Sequence, residues 1–360
     1  MTEMMHAWRM SIGKTPPIFR SRIPIPTPGP NTVLVKLHAM GVCHSDCAIR
    51  DMQEIPPFWR EEFTLGHEGA GEIVALGDNV TSLAVGDHVA VHPVTGCKSE
   101  KCVHCAHGWE QACKAEDNGN HGLGQDGFFA EYVVCRADAA VVIPKGVKIQ
   151  QAAVSPDALL TAYHAVKYTA GVTPKDTILI MGLGGLGLNG LQVAQHLGAK
   201  RVLVCDREQG AVDVAVRLGV AKEDAFCTAD PDDKPVHAVL EERGIVVDIV
   251  VDFVGHEQTV LGAQLAVRPA GLVVLVGLLS PTVTVIPGII VTNVLTLKGS
   301  FCGTVDGLRE CLDLVGRGIV KPELVEGSIN DLPQVLKKLD DGKVRGRQVL
   351  MPDWLNEGET

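Results

Sequence analysis

The first group of residues that could do chemistry is a run of four cysteines in the segment CKSEKCVHCAHGWEQAC: Cys97, Cys102, Cys105 and Cys113. Four thiolates can surround one Zn²⁺ tetrahedrally, which closes the site and leaves no position for a substrate. The spacing therefore predicts a structural zinc site. The alternative is a redox-active or fortuitous cysteine cluster in which His104 or His107 serves as a ligand.

A second group is dispersed along the chain and comprises Cys43 in GVCHSD, His67 in a Gly-His-Glu run, and Asp157 in SPDALLTAYHA. One thiolate, one imidazole and one carboxylate would give zinc three protein ligands and leave its fourth position open for an alcohol oxygen. Each residue also has a structural interpretation: Cys43 as a core thiol, His67 as a hydrogen-bonded turn residue, and Asp157 as a helix N-cap. Spacing alone does not bring the three together.

A third group is the glycine pattern GxGxxG, formed by Gly182, Gly184 and Gly187 between the apolar run TILIM and a helical pattern. In this context the glycines let the backbone turn tightly and approach a pyrophosphate at a helix N-terminus. Asp206, which ends the next apolar run, would bind an adenosine ribose and repel the 2′-phosphate of NADP, so the sequence predicts NAD. The adjacent Arg207 weakens this preference, and a glycine-rich turn with a surface aspartate is the alternative.

The elements that must position these residues change character along the chain. Up to about residue 150, short β-rich runs lie between Pro and Gly residues, which is typical of a small β-barrel-like domain. From Thr177, apolar strands such as TILIM, RVLVCD and AFC alternate with helical patterns, which indicates a parallel sheet covered on both faces. A helical pattern and the strand-like stretch GRQVLMP end the chain, so we expect a nucleotide-type domain inserted into the first domain.

Composition and charge exclude several classes of protein. The 360 residues suffice for two domains, and the net charge of −11 disfavours nucleic-acid and membrane partners. The N-terminal MTEMMHAWRM lacks the regions of a signal peptide, and no apolar run reaches the length of a membrane span. We therefore expect a cytoplasmic protein whose eleven cysteines are metal ligands, catalytic thiols or core residues rather than disulfides.

Together, the stretch GHEGAGEIVALGDNV, the cysteine-rich segment and the GLGGLG turn resemble the zinc-dependent alcohol dehydrogenases of the medium-chain dehydrogenase/reductase family. The stretch carries the family pattern GHExxGxxxxxG in the following residues: Gly66, His67, Glu68, Gly71 and Gly77. The resemblance implies an α/β fold with a GroES-like, β-rich catalytic domain formed by residues 1–158 and 302–360. It also implies an inserted Rossmann domain, residues 159–301, with a doubly wound parallel sheet of six strands.

Carried over by position, the resemblance implies that Cys43, His67 and Asp157 hold a catalytic zinc ion. Glu68 would be the neighbouring carboxylate that can approach the metal, and Asp46 would orient His67 through a hydrogen bond. Many members have a cysteine where this chain has Asp157, so a hard oxygen here replaces a soft thiolate and should leave the metal more electron-poor.

The resemblance also implies the route of the proton. Zinc would lower the pKa of the bound alcohol, Ser45 would take its proton, and hydride would pass to the nicotinamide as the carbonyl forms. Many relatives continue the relay with a histidine five residues after the cysteine ligand, but this chain has Ala48 there. We therefore expect the proton to leave through Ser45, the ribose and water.

Further contacts with the cofactor follow from the resemblance. His44 and Arg347 would face the pyrophosphate and Thr161 would pack behind the nicotinamide, although a loop histidine, a surface arginine and a helix threonine are the structural alternatives. Other expected cofactor contacts come from residues close to the ends of strands: Gly185, Leu186, Arg207, Val254 and Gly277. Phe129, in GFFAEY, would line the substrate pocket.

The sequence thus predicts an NAD-dependent alcohol dehydrogenase with two zinc ions per chain, one catalytic and one structural, acting on a primary or secondary alcohol. An enzyme for polyols or threonine is the first alternative, because the pocket rather than the fold sets the substrate. A non-catalytic nucleotide-binding protein is disfavoured, since both candidate metal sites are intact. Relatives pair through edge strands of the cofactor domain, which points to the segment VTVIPGIIV and to a homodimer or homotetramer.

Overall fold

The computed structural model describes residues 2–115, 118–230 and 234–355 of the chain. The chain divides into two compact units. The first unit contains three parts of the chain: Met1–Leu160, Gly303–Gly318 and Leu324–Thr360. The second unit contains Thr161–Cys302 and also the short segment Ile319–Glu323, whose membership the sequence pattern does not indicate.

The strands are numbered along the described chain. Those before the glycine pattern are β1 (Met4–Ser11), β2 (Ile18–Pro24), β3 (Thr32–Val42), β4 (Glu62–Thr64), β5 (Glu68–Leu76), β6 (His88–Val91), β7 (Tyr132–Arg136), β8 (Ala140–Val142) and β9 (Thr177–Met181). Those after it are β10 (Arg201–Asp206), β11 (Ala225–Cys227), β12 (Val247–Asp252), β13 (Val267–Leu275), β14 (Thr296–Gly299), β15 (Leu324–Ser328) and β16 (Arg347–Met351).

The α-helices are numbered in the same way. They are α1 (His44–Arg50), α2 (Ile149–Val154), α3 (Leu160–Tyr163), α4 (Gly185–His196), α5 (Gln209–Arg217), α6 (Val236–Glu242), α7 (Glu257–Ala266), α8 (Pro287–Thr292), α9 (Val305–Gly316) and α10 (Leu332–Asp340). Two π-helical turns, Ser155–Leu159 and His164–Thr169, flank α3. None of the helices in the described chain is both long and apolar enough to cross a bilayer.

The long strand β3 organises the first unit. It pairs antiparallel with β5, β7 and β16 in a sheet of order β15-β16-β3-β5-β6-β8, while β2, β1 and β4 form a smaller antiparallel sheet. Val33, Val35 and Leu37 of β3 are buried in the core of this unit. Gly41, near the end of β3, pairs with Glu68, the first residue of β5. The end of β3 and the start of β5 therefore lie side by side.

Helix α10 supports the helix that follows β3. Its buried apolar residues recur at the spacing of one helix face: Leu332, Val335, Leu336 and Leu339. The thiol of Cys47 in α1 donates to the carbonyl of Leu336 at 3.5 Å. Packing against α10 therefore holds α1 and the residues at its start in place.

The second unit is built on six parallel strands in the order β11-β10-β9-β12-β13-β14. All five residues of β9 are buried, as expected for a strand covered on both faces. The order reverses between β9 and β12, which opens a crevice beyond their carboxyl ends where such sheets bind ligands. The predicted fold class, a β-rich GroES-like domain with a six-stranded Rossmann sheet, is confirmed.

One predicted element, the edge strand VTVIPGIIV, is wrong. The segment VTVIPGIIV does not form an edge strand, because Pro287 begins the helix α8 and the residues before it are irregular. Proline suits the first turn of a helix, where its missing N–H costs nothing, and it cannot donate to a strand ladder. The edge strands of this sheet are β11 and β14, and β14 is the one that follows α8.

Candidate metal centres and cofactor site

Cys43, Ser45 and Asp46 are positioned by the turn from β3 into α1. Cys43 directly precedes the helix with an extended backbone, and its N–H donates to Oδ2 of Asp46 at 2.8 Å. The two residues thus form a capping box at the start of α1, in which the N–H of Asp46 in turn contacts the side chain of Cys43. The buried Sγ of Cys43 lies 3.6 Å from Oγ of Ser45, so the hydroxyl is adjacent to the thiol.

Asp46 also fixes His67, which lies between Gly66 and the first residue of β5. Nδ1 of His67 lies 3.1 Å from Oδ1 of Asp46, and both side chains are buried. Because a carboxylate accepts hydrogen bonds, Nδ1 carries a proton and Nε2 is the nitrogen available to a metal. Burial lowers the pKa of His67, but Asp46 and Asp157 outweigh it and raise this pKa well above its usual value.

Asp157 completes the first candidate metal site. It lies inside the π-helical turn Ser155–Leu159, not at the N-cap of that turn, and its Oδ2 is 3.5 Å from Nε2 of His67. The donor atoms of Cys43, His67 and Asp157 all lie within 4.8 Å of one another. This sulfur, nitrogen and oxygen set fits a zinc ion that keeps one position open.

A buried ion-pair network adjoins these residues. Nε of Arg347 donates to Oε1 and Oε2 of Glu68 at 2.9 and 3.1 Å, and its Nη2 donates to Glu68 and to Oδ2 of Asp157. Burial raises the pKa of Glu68 to about 8, although the charge of Arg347 opposes this. Burial also raises the pKa of Asp157, but Arg347 and His67 outweigh it and hold this pKa well below its usual value.

The structural alternative for Arg347 is excluded. The residue is 5% exposed, so it is not a surface arginine. Its guanidinium binds two carboxylates of the metal site. Sequence reasoning missed this contact, because Glu68, Asp157 and Arg347 are far apart in the chain and their pairing depends on the tertiary fold. The expected contact with a pyrophosphate stays a prediction.

Two glycines make room for these side chains. A Cβ at Gly41 would lie 1.6 Å from Oε2 of Glu68, so a glycine two residues before Cys43 is the signal that sequence reasoning overlooked. Gly66 has a φ of 93°, and the ring of Phe129 occupies the position of its missing Cβ. Phe129 is fully buried and its ring packs on Gly66. Its place in the lining of the substrate pocket stays a prediction.

The four clustered cysteines form a second candidate site. The Sγ atoms of Cys97 and Cys105, and those of Cys102 and Cys113, are 3.8 Å apart, and all four lie within 4.8 Å of one another. A tetrahedral site with Zn–S bonds of about 2.3 Å separates its sulfurs by about 3.8 Å, so the group fits zinc. No histidine belongs to this group among the described residues.

The histidines of this segment have other contacts. Nδ1 of His107 donates to the carbonyl of Val103 at 2.7 Å, and the ring stacks on Trp109. His104 directly precedes a short 3-10 turn.

The backbone N–H of Cys105 lowers the pKa of Cys102 to about 7, whereas burial raises the pKa of Cys105 to about 12. A bound cation would hold all four sulfurs as thiolates, because metal binding displaces the protons of its ligands.

The glycine turn joins β9 to α4 in the second unit. Gly182 has a φ of 88°, and a Cβ at Gly187 would lie 1.7 Å from the carbonyl oxygen of Gly182. A Cβ at Gly184 would meet nothing within 4 Å. The first-turn N–H groups of α4, from Gly185, Leu186 and Gly187, have no acceptors within the helix, so the turn offers an open anion-binding end that fits a pyrophosphate.

Asp206 lies at the end of β10 beside this turn. Its Oδ2 accepts the N–H of Leu183 at 2.6 Å, and its Oδ1 accepts the N–H of Glu208 at 2.8 Å. These two bonds fix the carboxylate next to the glycine turn, where it can accept hydrogen bonds from a ribose. The side chain of Arg207 is 70% exposed and lies 4.0 Å from Glu208, so it is not ordered toward Asp206.

The other expected cofactor contacts lie in both units. Val254 packs on Gly182, since a Cβ at Gly182 would lie 2.5 Å from Cγ2 of Val254, and Gly277 approaches the backbone of Val254. His44 is exposed in the first unit, where its Nε2 donates to the carbonyl of Leu339 at 3.0 Å. Thr161 is buried in α3 of the second unit. Their contacts with a cofactor stay predictions.

Comparison with known proteins gives matches over most of the chain. Residues 29–145 match the family model of the alcohol dehydrogenase GroES-like domain, and residues 185–317 match that of the zinc-binding dehydrogenases. An alcohol dehydrogenase of Moraxella sp. (strain TAE123) is 31% identical over 329 residues, which cover 91% of this chain and 94% of the relative. An NAD-dependent alcohol dehydrogenase of Sulfurisphaera tokodaii is 29% identical, over 97% of this chain and 100% of its own.

Solved structures give the same result. Acetophenone reductase from Geotrichum candidum, solved in complex with NAD, superposes with a TM-score of 0.87 at 33% identity and covers 98% of both chains. The alcohol dehydrogenase of Aeropyrum pernix superposes with a TM-score of 0.86 at 29% identity, covering 96% of this chain and 100% of that one.

Proposed function

Since this chain belongs to the zinc-type alcohol dehydrogenases of the medium-chain dehydrogenase/reductase family, we propose that it interconverts a primary or secondary alcohol with its aldehyde or ketone. It is an NAD-dependent oxidoreductase that uses zinc and NAD. One observation carries the proposal: the donor atoms of Cys43, His67 and Asp157 converge, and Asp46 holds His67 with Nε2 available. A closed, purely structural metal site would have a fourth protein ligand.

The roles of the residues follow from this arrangement. Bound zinc would supply a Lewis acid for the alcohol oxygen, and NAD would supply the hydride acceptor. Cys43, His67 and Asp157 would hold the metal, and the Ser45 hydroxyl, next to Cys43, would accept the alcohol proton. Glu68 is held by Arg347 beside the site, so it is available as a carboxylate that can approach the metal when ligands exchange.

The proton then leaves without a histidine relay. Position 48, one helical turn after Ser45 in α1, is an exposed alanine, so water would carry the proton away. Replacing Ala48→His should raise turnover at low pH, because an imidazole would then shuttle the proton. An unchanged pH–rate profile would remove the support for this route.

The decisive experiment combines metal analysis with a substrate panel. The purified chain should hold two zinc ions, and it should reduce NAD with at least one of ethanol, 2-propanol, 1-phenylethanol, 2,3-butanediol or threonine. The panel includes 1-phenylethanol because a relative is named for reducing acetophenone. Asp157→Ala should lose one zinc and all activity. Two bound zinc ions with no NAD-linked activity on any hydroxyl compound would contradict the proposal.

The assembly is also a proposal. We infer a homo-oligomer that pairs through the β14 edge of the second unit, where apolar side chains are exposed: Leu278 (81%), Val291 (74%) and Val294 (71%). Apolar side chains this exposed and this close in sequence are more typical of an interface than of a free surface. Light scattering should give a mass of at least twice 38.3 kDa. A monomer at micromolar concentration would contradict this inference.

The compartment is proposed from the cysteines. None of the eleven, all of which lie in the described part of the chain, is in a disulfide, and the candidate metal sites account for five of them. Reduced cysteines in this number are typical of a reducing compartment, so we propose a cytoplasmic enzyme. Fractionation of the source cells, with the chain in the membrane or secreted fraction, would contradict this.

A further inference from the structure

A buried carboxylate lies at the carboxyl end of β12 and takes no part in the roles described above. Asp252 is the last residue of this strand and is fully inaccessible to solvent. Its Oδ1 accepts the N–H groups of Val254 at 2.8 Å and Gly255 at 3.1 Å, and its Oδ2 accepts the hydroxyl of Thr259 at 2.7 Å. One side chain therefore fixes the whole loop between β12 and α7.

The same loop is joined to the loop that follows β13. The carbonyl of Asp252 accepts the N–H groups of Val276 at 2.9 Å and Gly277 at 3.1 Å. Gly255, with a φ of 67°, approaches Gly277 so closely that a Cβ on Gly255 would lie 2.0 Å from the carbonyl oxygen of Gly277. The loops after β12 and β13 therefore pack backbone against backbone, and the hydrogen bonds of Asp252 fix the conformation of the first of them.

The other face of the β12 loop lies on the glycine turn. Cγ2 of Val254 occupies the space that a side chain at Gly182 would need. The N–H of Phe253 donates to the carbonyl of Met181 at 2.9 Å, and the ring of Phe253 covers Gly190 of α4. A shift of Val254 would therefore move the turn that is the candidate pyrophosphate site.

The strand order assigns this loop to one half of the cofactor. Asp206, the candidate ribose acceptor, ends β10 on one side of β9, while Asp252 ends β12 on the other side. With the pyrophosphate at the turn after β9, the nicotinamide half extends over the end of β12. The loop that Asp252 holds is thus a wall of the nicotinamide side of the crevice.

We propose that Asp252 is a positioning residue for NAD, which holds Val254 and the β12 loop in the conformation that receives the nicotinamide half. The inference rests on the proposed dehydrogenase function and deepens its cofactor site. Two oxygens that satisfy three donors in a buried place act through their geometry, so the loop needs an acceptor at the Oδ1 position and a hydrogen-bond partner for Thr259 at the Oδ2 position. Burial raises the pKa of Asp252, and the three donors oppose that rise.

The experiment compares two probes on three variants. Asp252→Leu removes every acceptor, whereas Asp252→Asn keeps Oδ1 for both backbone N–H groups. Asp248→Leu is the matched control, because Asp248 lies near the other end of β12 and also accepts a backbone N–H, that of Thr177 at 2.8 Å. Calorimetric titration with NADH measures binding to both halves of the cofactor site. Titration with AMP measures binding to the adenosine half alone.

The expected result is a selective loss. Asp252→Leu should raise the Kd of NADH at least tenfold and that of AMP no more than threefold, while Asp252→Asn and Asp248→Leu stay within threefold of the unaltered chain for both probes. If Asp252→Leu does not fold, Thr259→Val, which removes the hydrogen bond to Oδ2 and those to the backbone of His256 in the same loop, should still raise the Kd of NADH severalfold with that of AMP unchanged.

Three results would overturn the inference: equal weakening of NADH and AMP, equal effects of Asp252→Leu and Asp248→Leu, or unaltered NADH binding by Thr259→Val when Asp252→Leu fails to fold. Its failure differs from that of the proposed function. If the unaltered chain bound neither NADH nor AMP, the dehydrogenase itself would be in question. If it bound both and Asp252→Leu bound them equally well, only the role of Asp252 would fall.

Discussion

Replacing Gly184→Ala should separate cofactor binding from folding. Gly184 directly precedes α4, its φ of −73° is open to alanine, and a Cβ there would meet no atom within 4 Å. The added methyl group therefore enters open space at the start of α4, where we expect it to crowd a pyrophosphate bound to the first-turn N–H groups. We expect no change in the fold, because the methyl group has no steric clash within the chain.

The expected loss of NADH affinity follows from the hydrogen bonds between the pyrophosphate and the N–H groups that the methyl group would disrupt. A hydrogen bond to a charged group contributes about 1.5–3 kcal/mol, and about 1.4 kcal/mol corresponds to a tenfold change in affinity. If the methyl group displaces the pyrophosphate from one N–H, the Kd of NADH should rise by about 10- to 100-fold. The unfolding temperature of the cofactor-free chain should stay the same, since the gain in rigidity from Gly to Ala and the loss of a good N-cap are both below about 1 kcal/mol.

Gly187→Ala is the matched comparison three residues further along. Its Cβ would lie 1.7 Å from the carbonyl oxygen of Gly182, so the turn between β9 and α4 must open. This variant should lose both thermal stability and NADH binding, as read by differential scanning fluorimetry and calorimetry. Unaltered NADH affinity in Gly184→Ala would refute the assignment of the pyrophosphate to this helix end.

Three further predictions concern the first unit. Cys105→Ala should remove one zinc per chain and lower the unfolding temperature while the other zinc stays bound, as measured by metal analysis of the purified variant; loss of both ions would contradict two independent sites. Arg347→Met should leave Glu68 and Asp157 without their cation, and breaking a buried pair costs about 3–5 kcal/mol, so zinc should be lost to a chelator much faster than from Arg347→Lys. Burial lowers the pKa of His92 from 6.5 to about 4, although its hydrogen bond to the carbonyl of Gly303 opposes this. The unfolded chain therefore binds the proton first as pH falls, and the stability that is complete above pH 6.5 should decline by roughly 2 kcal/mol by pH 5. Denaturant midpoints at pH 7.5 and 5.0 should thus shift less in His92→Gln than in the unaltered chain, and equal shifts would show that another group governs acid stability.

Sequence patterns predict the second unit well because its rules are local. Continuous apolar runs such as TILIM mark strands buried on both faces, and the glycine spacing is dictated by the carbonyl of Gly182, five residues from Gly187. Prediction from local patterns fails where a segment is short. VTVIPGIIV has the composition of a strand, but a helix begins there at Pro287. The apolar content of so short a segment does not distinguish a helix from a strand.

The first candidate site was only partly predictable for a different reason. Cys43 and His67 come together because β3 and β5 are antiparallel neighbours whose ends meet at one edge, and antiparallel pairing is compatible with the β-rich pattern of this region. Asp157 and Arg347 reach the same place from a π-helical turn and from the last strand, and no periodicity links them. The ring of Phe129 is buried next to Gly66 because that glycine has no Cβ, and a sequence pattern does not reveal this contact either.

The carboxylate at position 157 and the guanidinium at position 347 are coupled for an electrostatic reason. Cys43 as a thiolate and Asp157 as a carboxylate would balance the two charges of a zinc ion, so an ionised Glu68 beside them would leave a buried excess of negative charge. Arg347 supplies the missing positive charge, and its planar fork can bind Glu68 and Asp157 together, which the single ammonium of a lysine cannot do with the same geometry. The same guanidinium therefore governs both how firmly Asp157 presents its oxygen and how freely Glu68 can move toward the metal.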